Sequence, residues 1–284
     1  MKKSIEIVVA VCNEEEAIPV FLRSAQSLTL PEGVALRFLF VEDSSTDRTV
    51  DVLRAAAQQD RNVRFCSLEK GYGQSAALFF GMSRTESDAV ITMDVDQGHP
   101  VELIAEMAEG YVNGADIVQA VRRDIQGRSA YRDFGTRAFG RLARWMTGVD
   151  LNRQNVHYRL MSDEVRRWAL RNRRLVHFSK FPFPPFAKSV SYVGFSSPPR
   201  TVGESKYGFA RLLFHAANGI LAIMPPLRVA TATAVLAAAG GGLMWLGRWL
   251  SGGALLAGGA ALCGRYVLMG RAYVFERLRV KEEG

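Results

Sequence analysis

Hydrophobic and polar positions alternate along the first 120 residues in blocks typical of strands and helices in turn. Five largely apolar runs predict buried strands, at residues 5–11, 36–41, 63–67, 89–93 and 116–121. Helices are predicted between them, at residues 17–28, 48–59, 75–83 and 101–111. This alternation predicts an α/β fold, with a mostly parallel sheet joined by right-handed crossovers.

The pattern changes in the last quarter of the chain, where charged residues almost disappear. Residues 229–247 carry no charge, and after Arg248 a second uncharged stretch covers 249–264. The first stretch is long enough to cross the hydrocarbon layer of a membrane as a helix. The two stretches predict a transmembrane hairpin of two helices over 227–272. The alternative is a pair of helices buried in a globular core.

Basic residues mark both ends of this predicted hairpin, at Arg228 and within 271–281. Lys and Arg are enriched in the cytoplasmic flanks of membrane helices. The pattern therefore predicts a multi-pass protein of the inner (cytoplasmic) membrane, with both termini in the cytoplasm. Glycines at 240–242, 252–253 and 258–259 suit close helix packing, either within the hairpin or between subunits of a homo-oligomer.

The region before the hairpin is strongly basic. Residues 122–180 contain 15 Lys or Arg against 5 Asp or Glu, whereas the whole chain carries a net charge of +8. Such a region could meet nucleic acid, an anionic membrane or a phosphate-bearing substrate. Nucleic acid is disfavoured as a partner because no recognisable reading module is present. Amphipathic helices predicted at 134–147 and 208–223 are of the type that lies beside a membrane.

These patterns divide the chain into four parts. We predict a cytoplasmic domain at 1–200, a juxtamembrane amphipathic region at 201–226, the hairpin at 227–272 and a basic cytoplasmic tail at 273–284. The three cysteines, Cys12, Cys66 and Cys263, are odd in number and lack metal-ligand spacing. They are predicted to be buried thiols in a reducing compartment.

Candidate chemistry lies where the predicted strands end. Asp94 and Asp96 follow the run at 89–93, and Asp43 follows the run at 36–41. Ligands of parallel α/β sheets bind at the carboxyl ends of the strands. An Asp-x-Asp pair there can hold a divalent cation that bridges a diphosphate, while Asp43 can accept a hydrogen bond from a nucleoside. The alternative is that Asp94 and Asp96 only cap a turn.

Two further observations limit the functions that the sequence can support. The first loop and the loop at 71–74 match neither a dinucleotide fingerprint nor a phosphate-binding P-loop, which argues against NAD and ATPase functions. Arg122 and Arg132 follow the last predicted strand, so a role in binding phosphate is favoured over a solvated one. Arg200 and Lys206 precede the hairpin, which would bring them near the bilayer surface where a lipid phosphate is presented.

Six short motifs are spread along the chain: Val-Cys-Asn-Glu-Glu at 11–15, Val-Glu-Asp-Ser-Ser-Thr-Asp at 41–47, Tyr-Gly-Gln-Ser-Ala-Ala at 72–77, Asp-Val-Asp at 94–96, Tyr-Arg-Leu-Met at 158–161 and Gly-Glu-Ser-Lys-Tyr at 203–207. Each is weak alone. In this order and spacing, and followed by two apolar helices, they resemble glycosyltransferase family 2. The likeness is to its polyprenyl-phosphate branch, which includes dolichol-phosphate mannose synthases and bacterial undecaprenyl-phosphate sugar transferases.

The resemblance implies a Rossmann-like GT-A fold and an inverting, metal-dependent enzyme. It would move one sugar from a nucleotide-sugar, with UDP favoured, to a polyprenyl phosphate such as undecaprenyl phosphate, for a cell-envelope glycan or lipid. Implied nucleotide-sugar contacts come from Ala10, Asn13, Glu14, Asp43, Gly73, Gln74 and Asp94. Mg²⁺ or Mn²⁺ would be held by Asp94, Asp96 and Gln97. Implied catalytic residues are Asp94, Asp96, Arg122 and Arg132, and the acceptor phosphate would meet Arg122, Arg132, Arg200 and Lys206.

The chemistry of the acceptor agrees with this resemblance. A hydroxyl acceptor needs a general base, and the only Glu-Asp pair, Glu42-Asp43, stands at the nucleotide strand. A lipid phosphate is already anionic, so it needs only positioning and charge neutralisation. The chain also lacks the Gln-x-x-Arg-Trp motif of processive synthases. These features favour a single sugar transfer.

Several positions depart from the family pattern, namely Ala10, Cys12, Glu42, Gly98 and His157. His157 has two interpretations, a contact with the donor sugar or a phosphate, and a structural role. Three rival functions remain beside the main one. They are a membrane-anchored transferase that uses a hydroxyl acceptor with His157 as base, a non-catalytic nucleotide-sugar or lipid-phosphate binding protein, and a nucleotidyltransferase, which would not require a membrane hairpin.

Overall fold

The computed structural model describes most of the N-terminal domain and a C-terminal pair of helices. The described residues are 3–95, 98–123, 140–141, 144–147, 157–172, 174–175, 183–184, 186–196, 220–245, 249–271 and 280–284. The strands are β1 (Lys3–Val11), β2 (Val34–Glu42), β3 (Val63–Leu68), β4 (Ala89–Met93), β5 (Ile117–Arg122), β6 (Arg159–Ser162), β7 (Val190–Phe195) and β8 (Val280–Glu283). The helices are α1 (Ala17–Gln26), α2 (Thr49–Gln59), α3 (Gln74–Arg84), α4 (Leu103–Val112), α5 (Asp163–Arg171), α6 (Pro226–Trp245) and α7 (Trp249–Arg271).

The strands form one sheet in the order β7-β5-β6-β4-β1-β2-β3-β8. Its centre, β4-β1-β2-β3, is parallel, and successive strands there are joined by helices. β6 is inserted antiparallel between β4 and β5, and β8 lies antiparallel against β3. The predicted α/β fold with a mostly parallel sheet is therefore confirmed.

The sheet is buried on both faces, which explains its uninterrupted apolar runs. Ile5, Ile7 and Val9 of β1 face the side covered by α1, α2 and α4. Val8 faces the opposite side, where α3 and α5 pack. On that side α3 comes very close: a Cβ on Gly81 would lie 2.4 Å from Cγ1 of Val8. The missing side chain lets α3 pack tightly on the sheet.

The apolar pattern located the early elements well but missed later ones. All five predicted strands and the four helices between them are present, with ends shifted by up to two residues. β6, α5, β7 and β8 were not predicted. Of the predicted amphipathic helices at 134–147 and 208–223, only 140–141, 144–147 and 220–223 lie within the described residues, and all of these are helical.

α6 and α7 pack against each other where the hairpin was predicted. Gly259 of α7 is the point of close approach, because a Cβ there would lie 3.4 Å from both Leu236 Cβ and the Thr233 carbonyl oxygen of α6. None of the helices in the described residues combines the length and the apolar character needed for a membrane crossing. The two crossings predicted over 227–272 are thus not shown.

The end of the chain returns to the first domain as β8. The guanidinium of Arg54 donates to both carboxylate oxygens of Glu282, each at 2.8 Å, and Arg84 forms an ion pair with Glu283 at 3.2 Å. The described part of the predicted basic tail, 280–284, is therefore an edge strand with paired acidic side chains. It covers the open side of β3, which would otherwise be an unpaired edge.

Candidate functional site

The carboxyl ends of β1, β2 and β4 lie side by side, because Val11 pairs with Glu42 and Val9 with Met93. A cavity of about 220 Å³ opens there, lined by Ala10, Val11, Cys12, Glu14, Asp43, Gln74, Asp94 and Val95. Five residues that the resemblance assigned to the nucleotide-sugar therefore surround one cavity: Ala10, Glu14, Asp43, Gln74 and Asp94. This is the edge at which parallel α/β sheets bind their ligands.

The first loop is held by hydrogen bonds to the loop after β2. Asn13 adopts a left-handed conformation with φ of 58°, which asparagine tolerates better than most residues. Its Oδ1 accepts the backbone N–H of Thr46 at 2.7 Å, and its own N–H donates to Ser45 Oγ at 3.0 Å. Asn13, expected at the nucleotide-sugar, thus joins two loops at the rim of the cavity.

Asp43 organises the loop that precedes α3. Its Oδ1 accepts the N–H of Tyr72 at 2.7 Å, and its Oδ2 accepts the N–H of Gly73 at 2.8 Å. Gly73 has φ of 89°, a conformation that suits glycine. Each carboxylate oxygen has two lone pairs, so Asp43 can still accept from a ligand in the cavity.

Asp94, directly after β4, is held on one carboxylate oxygen. Gln74 Nε2 donates to Asp94 Oδ1 at 2.6 Å, and His157 Nε2 donates to the same atom at 2.9 Å. Burial by itself would raise the pKa of Asp94. The hydrogen bond from His157, the electrostatic interactions with His157 and His99, and the hydrogen bond from Gln74 outweigh burial and lower that pKa. Asp94 is therefore a carboxylate at neutral pH.

Two buried histidines lie against Asp94. His99 Nδ1 accepts the backbone N–H of Asp94 at 2.9 Å, and the His99 and His157 rings are 5.0 Å apart. The carbonyl oxygen of His157 accepts from Thr92 Oγ1 at 2.6 Å, which fixes His157 beside β4. The sequence singled out His157 but left its role open, and it missed His99. The position of His99 soon after the Asp-x-Asp was the available signal.

A cation would find its ligands at Asp94. The Oδ2 of Asp94 makes no hydrogen bond to any residue that the structure describes, and a carboxylate oxygen suits Mg²⁺ or Mn²⁺. Ligand atoms of Asp94, His99 and His157 lie within 4.8 Å of one another. His99 Nδ1 is already occupied by the Asp94 N–H, which makes Asp94 the better ligand. Asp96 and Gln97, the other predicted ligands, lie outside the described residues.

The predicted phosphate-binding residues are only partly within the described chain. Arg122, at the end of β5, is exposed and its guanidinium lies 5.6 Å from the Phe195 ring centroid. Phe195 is 6.3 Å from the ring of His99, so Arg122 lies at the same edge as Asp94 but does not line the cavity. Arg132, Arg200 and Lys206 fall outside the described residues.

One charged residue in the predicted motifs has an unexpected position. Arg159, the first residue of β6, is 1% exposed, and burial lowers its pKa to about 9. Its guanidinium lies 5.4 Å from the Phe183 ring centroid. The motif at 158–161 thus places a cation inside the domain, two residues after His157 in the chain.

Residues 6–178 match the family described as Glycosyl transferase family 2. The chain is 31% identical over 210 residues to the undecaprenyl-phosphate 4-deoxy-4-formamido-L-arabinose transferase of Pseudomonas aeruginosa, covering 74% of this chain and 62% of that protein. It therefore spans about three fifths of that relative's length. It is also 31% identical over 232 residues to the bactoprenol glucosyl transferase of Shigella phage SfX, covering 80% of this chain and 75% of that one.

Solved structures show the same fold at low identity. Glucosyl-3-phosphoglycerate synthase from Mycobacterium tuberculosis in complex with UDP has a TM-score of 0.51 and 16% identity, covering 78% of this chain and 79% of that one. The same enzyme with Mn²⁺, UDP and phosphoglyceric acid has a TM-score of 0.52 and 17% identity, covering 78% and 77%. The fold is thus a GT-A fold, and the chain belongs to glycosyltransferase family 2.

Proposed function

We propose that this protein transfers one sugar from a nucleotide-sugar to a polyprenyl phosphate. The observation that carries the proposal is the cavity at the sheet edge, where Asp43, Gln74 and Asp94 converge in a family 2 chain. Two relatives of this chain are named for undecaprenyl phosphate and for bactoprenol. A single transfer to a lipid phosphate therefore agrees with the family, the cavity and the relatives.

The donor that we propose is a UDP-sugar bound with Mg²⁺ or Mn²⁺. A protein of the same fold holds UDP together with Mn²⁺. Asp94 would hold the cation here, together with Asp96 and Gln97, which the sequence places beside it. When bound, the cation neutralises charge on the diphosphate leaving group. Asp43 and the loop at Gly73 would hold the nucleoside side of the donor.

The site residues that the structure describes would act by positioning the donor and its cation. Gln74 and His157 hold one oxygen of Asp94 and leave the other for a cation bound with the donor. We propose that the acceptor phosphate attacks the anomeric carbon with inversion, as the nucleoside diphosphate departs. No general base is needed, because the attacking phosphate oxygen is already anionic.

The position of His157 favours a phosphate acceptor over a hydroxyl acceptor. A general base must present an unprotonated nitrogen to the attacking hydroxyl. His157 Nε2 instead carries the proton that it donates to Asp94, and the residue is only 8% exposed. We therefore assign His157 a positioning role.

We further propose that the protein works at the cytoplasmic face of the inner membrane, in contact with its lipid acceptor. Large apolar side chains are exposed on α6 and α7: Leu227, Val235, Leu256, Val267 and Leu268. Such a surface is rarely left to water. Arg122, with Arg132, Arg200 and Lys206 predicted from the sequence, would neutralise the lipid phosphate.

The experiment that tests the proposal measures nucleoside diphosphate release from UDP-, GDP- and dTDP-sugars. The full chain is assayed in detergent with Mg²⁺ or Mn²⁺, with and without undecaprenyl phosphate, and an Asp94→Ala variant serves as control. We expect release from one donor that requires both the lipid and Asp94. Equal release without the lipid would contradict a lipid acceptor, and nucleotide binding without release would favour the non-catalytic binding protein.

A further inference from the structure

A second cavity of about 410 Å³ lies between the first domain and the helical pair. Its walls come from the end of α5, the turn at 174–175 and the segment that leads into α6. It shares no lining residue with the cavity at Asp94. The volume falls within the range of small-molecule sites in proteins, about 300–1,000 Å³.

Two arginines provide the positive charge of this cavity. Arg166 and Arg167, on the same helix as Arg171, both form ion pairs with Asp163. Arg171 and Arg174 line the cavity, and neither pairs with a carboxylate within the part of the chain that the structure describes. Their positive charge is therefore uncompensated there and suits an anion.

Arg174 is held in place with hydrogen-bonding capacity left over. Its guanidinium stacks on the Tyr266 ring at 3.8 Å, and its Nη1 donates to Tyr266 Oη at 2.5 Å. Tyr266 Oη in turn donates to the Met224 carbonyl oxygen at 3.2 Å. The Nε of Arg174 is buried and has no hydrogen-bond partner among the described residues. An arginine guanidinium presents its N–H groups as a planar fork that suits phosphate.

The remaining walls are mostly apolar. They include the indole of Trp168 and the side chains of Leu175, Ile223 and Met224. Leu227, one residue beyond the cavity wall at Pro226, is 74% exposed. The cavity thus combines a cationic part with apolar walls that adjoin the exposed apolar surface of α6.

We propose that this cavity binds the phosphate group of an amphiphile, with the phosphate at Arg171 and Arg174 and the start of the apolar chain against Trp168 and Met224. The inference goes beyond sugar transfer, because none of these residues lines the cavity at Asp94. It identifies a contact with lipid that the helical pair and the first domain form together.

The test measures dissociation constants by calorimetry, with the full chain and three probes. The probes are dihexanoyl phosphatidic acid, dihexanoyl phosphatidylcholine and inorganic phosphate. We expect saturable binding of the phosphatidic acid, and binding of the other two that is weaker by about tenfold or more. Inorganic phosphate bound as tightly as the phosphatidic acid would overturn the lipid assignment, because the apolar walls would then contribute nothing.

Matched variants test whether phosphatidic acid binds at this cavity or is attracted by the positive charge of the surface in general. Arg171→Ala and Arg174→Ala should each weaken phosphatidic acid binding by about fivefold, the contribution expected of one arginine near an anionic lipid. Arg167→Ala removes the same charge from α5 outside the cavity and should leave binding unchanged. Thermal unfolding identifies misfolded variants, and Arg171, which is exposed, carries the test if Arg174→Ala does not fold. Equal losses in the cavity variants and Arg167→Ala would overturn the proposal.

Discussion

His157 Nε2 donates a hydrogen bond to Asp94 Oδ1 across 2.9 Å, joining residues 63 positions apart in the chain. The bond depends on the register of β4 and β6, which sets Thr92 opposite Arg159 and so brings His157 to the end of β4. His157, which departs from the family pattern, thus contacts Asp94, the residue most directly implicated in donor binding. This hydrogen bond fixes the Asp94 carboxylate in one orientation.

Replacing His157 should slow the chemical step more than it weakens binding. Hydrogen bonds to charged groups contribute about 1.5–3 kcal/mol, so we expect His157→Ala to reduce kcat by about tenfold or more. His157→Gln retains an N–H donor and should restore part of the loss, with KM for the lipid unchanged. Steady-state kinetics measure this. A His157→Gln variant as inactive as His157→Ala would instead indicate that the imidazole itself takes part as a base.

Asp43→Asn should weaken donor binding through the loop before α3. An asparagine replaces one of the two carboxylate oxygens by an NH2 donor, so either the N–H of Tyr72 or that of Gly73 loses its acceptor. We expect the KM for the nucleotide-sugar to rise by about tenfold, the cost of one charge-assisted hydrogen bond. Glu32→Gln, an exposed change away from the cavity, is the control. An unchanged KM in Asp43→Asn would contradict the assignment.

Cys12 reports on occupancy of the cavity at Asp94. Burial, and then the negative charges of Asp43, Glu42 and Asp47, raise the pKa of the Cys12 thiol. A raised pKa leaves less thiolate, so alkylation should be slow at neutral pH and accelerate as the pH rises through that pKa. UDP with Mn²⁺ should protect Cys12 from the reagent.

The experiment follows alkylation by mass spectrometry in a Cys263→Ser background, because Cys263 is also exposed. The sequence had predicted that all three cysteines are buried, and this prediction is wrong for Cys12 and Cys263. Cys66 is buried, and its pKa is raised to about 11, mainly by burial, so it should stay unmodified. Identical alkylation of Cys12 with and without UDP would argue against nucleotide binding in this cavity.

Removal of residues 280–284 should destabilise the first domain, although they lie at the far end of the chain. Gly284, the residue after β8, exchanges two backbone hydrogen bonds with Phe65 of β3, at 2.8 and 3.1 Å. We expect the Tm to fall by about 5 °C on truncation, and the exposed edge to promote aggregation. Lys281→Gln, which changes only an exposed charge, should leave the Tm unchanged.

The ion pair on β8 adds a pH dependence to the same measurement. Hydrogen bonds from Arg54 lower the pKa of Glu282. Its contribution to stability is therefore present above the ordinary carboxyl pKa and is lost as the pH falls through the lowered value. The difference in Tm between the intact chain and Glu282→Gln should shrink in acid. A difference that does not change with pH would show that the pair contributes nothing.

The sequence predicted those parts of the structure that local patterns determine. Buried parallel strands require apolar residues on both faces, so β1 to β5 were visible as apolar runs, and Asp43 and Asp94 were located by the ends of those strands. β6 and β8 depend on partners far away in the chain. β8 is Val-Lys-Glu-Glu, a largely charged segment that is held as a strand by the edge of β3 and by Arg54.

The site was predicted incompletely for a similar reason. A motif can suggest that Asp94 meets a donor, but it cannot reveal that His99 accepts the Asp94 N–H, since that bond depends on the turn after β4. Asp43 was expected to contact the nucleoside, whereas its carboxylate also builds the loop at Gly73.

The central claim is that one sugar passes to a polyprenyl phosphate, and mass spectrometry of the extracted lipid tests it most directly. The full chain is incubated with undecaprenyl phosphate, a divalent cation and the donor that supports nucleotide release. We predict a lipid product heavier by one sugar residue, absent when Asp94→Ala replaces the intact chain. An unmodified lipid alongside a glycosylated water-soluble hydroxyl compound, or a lipid carrying a chain of several sugars, would contradict the account.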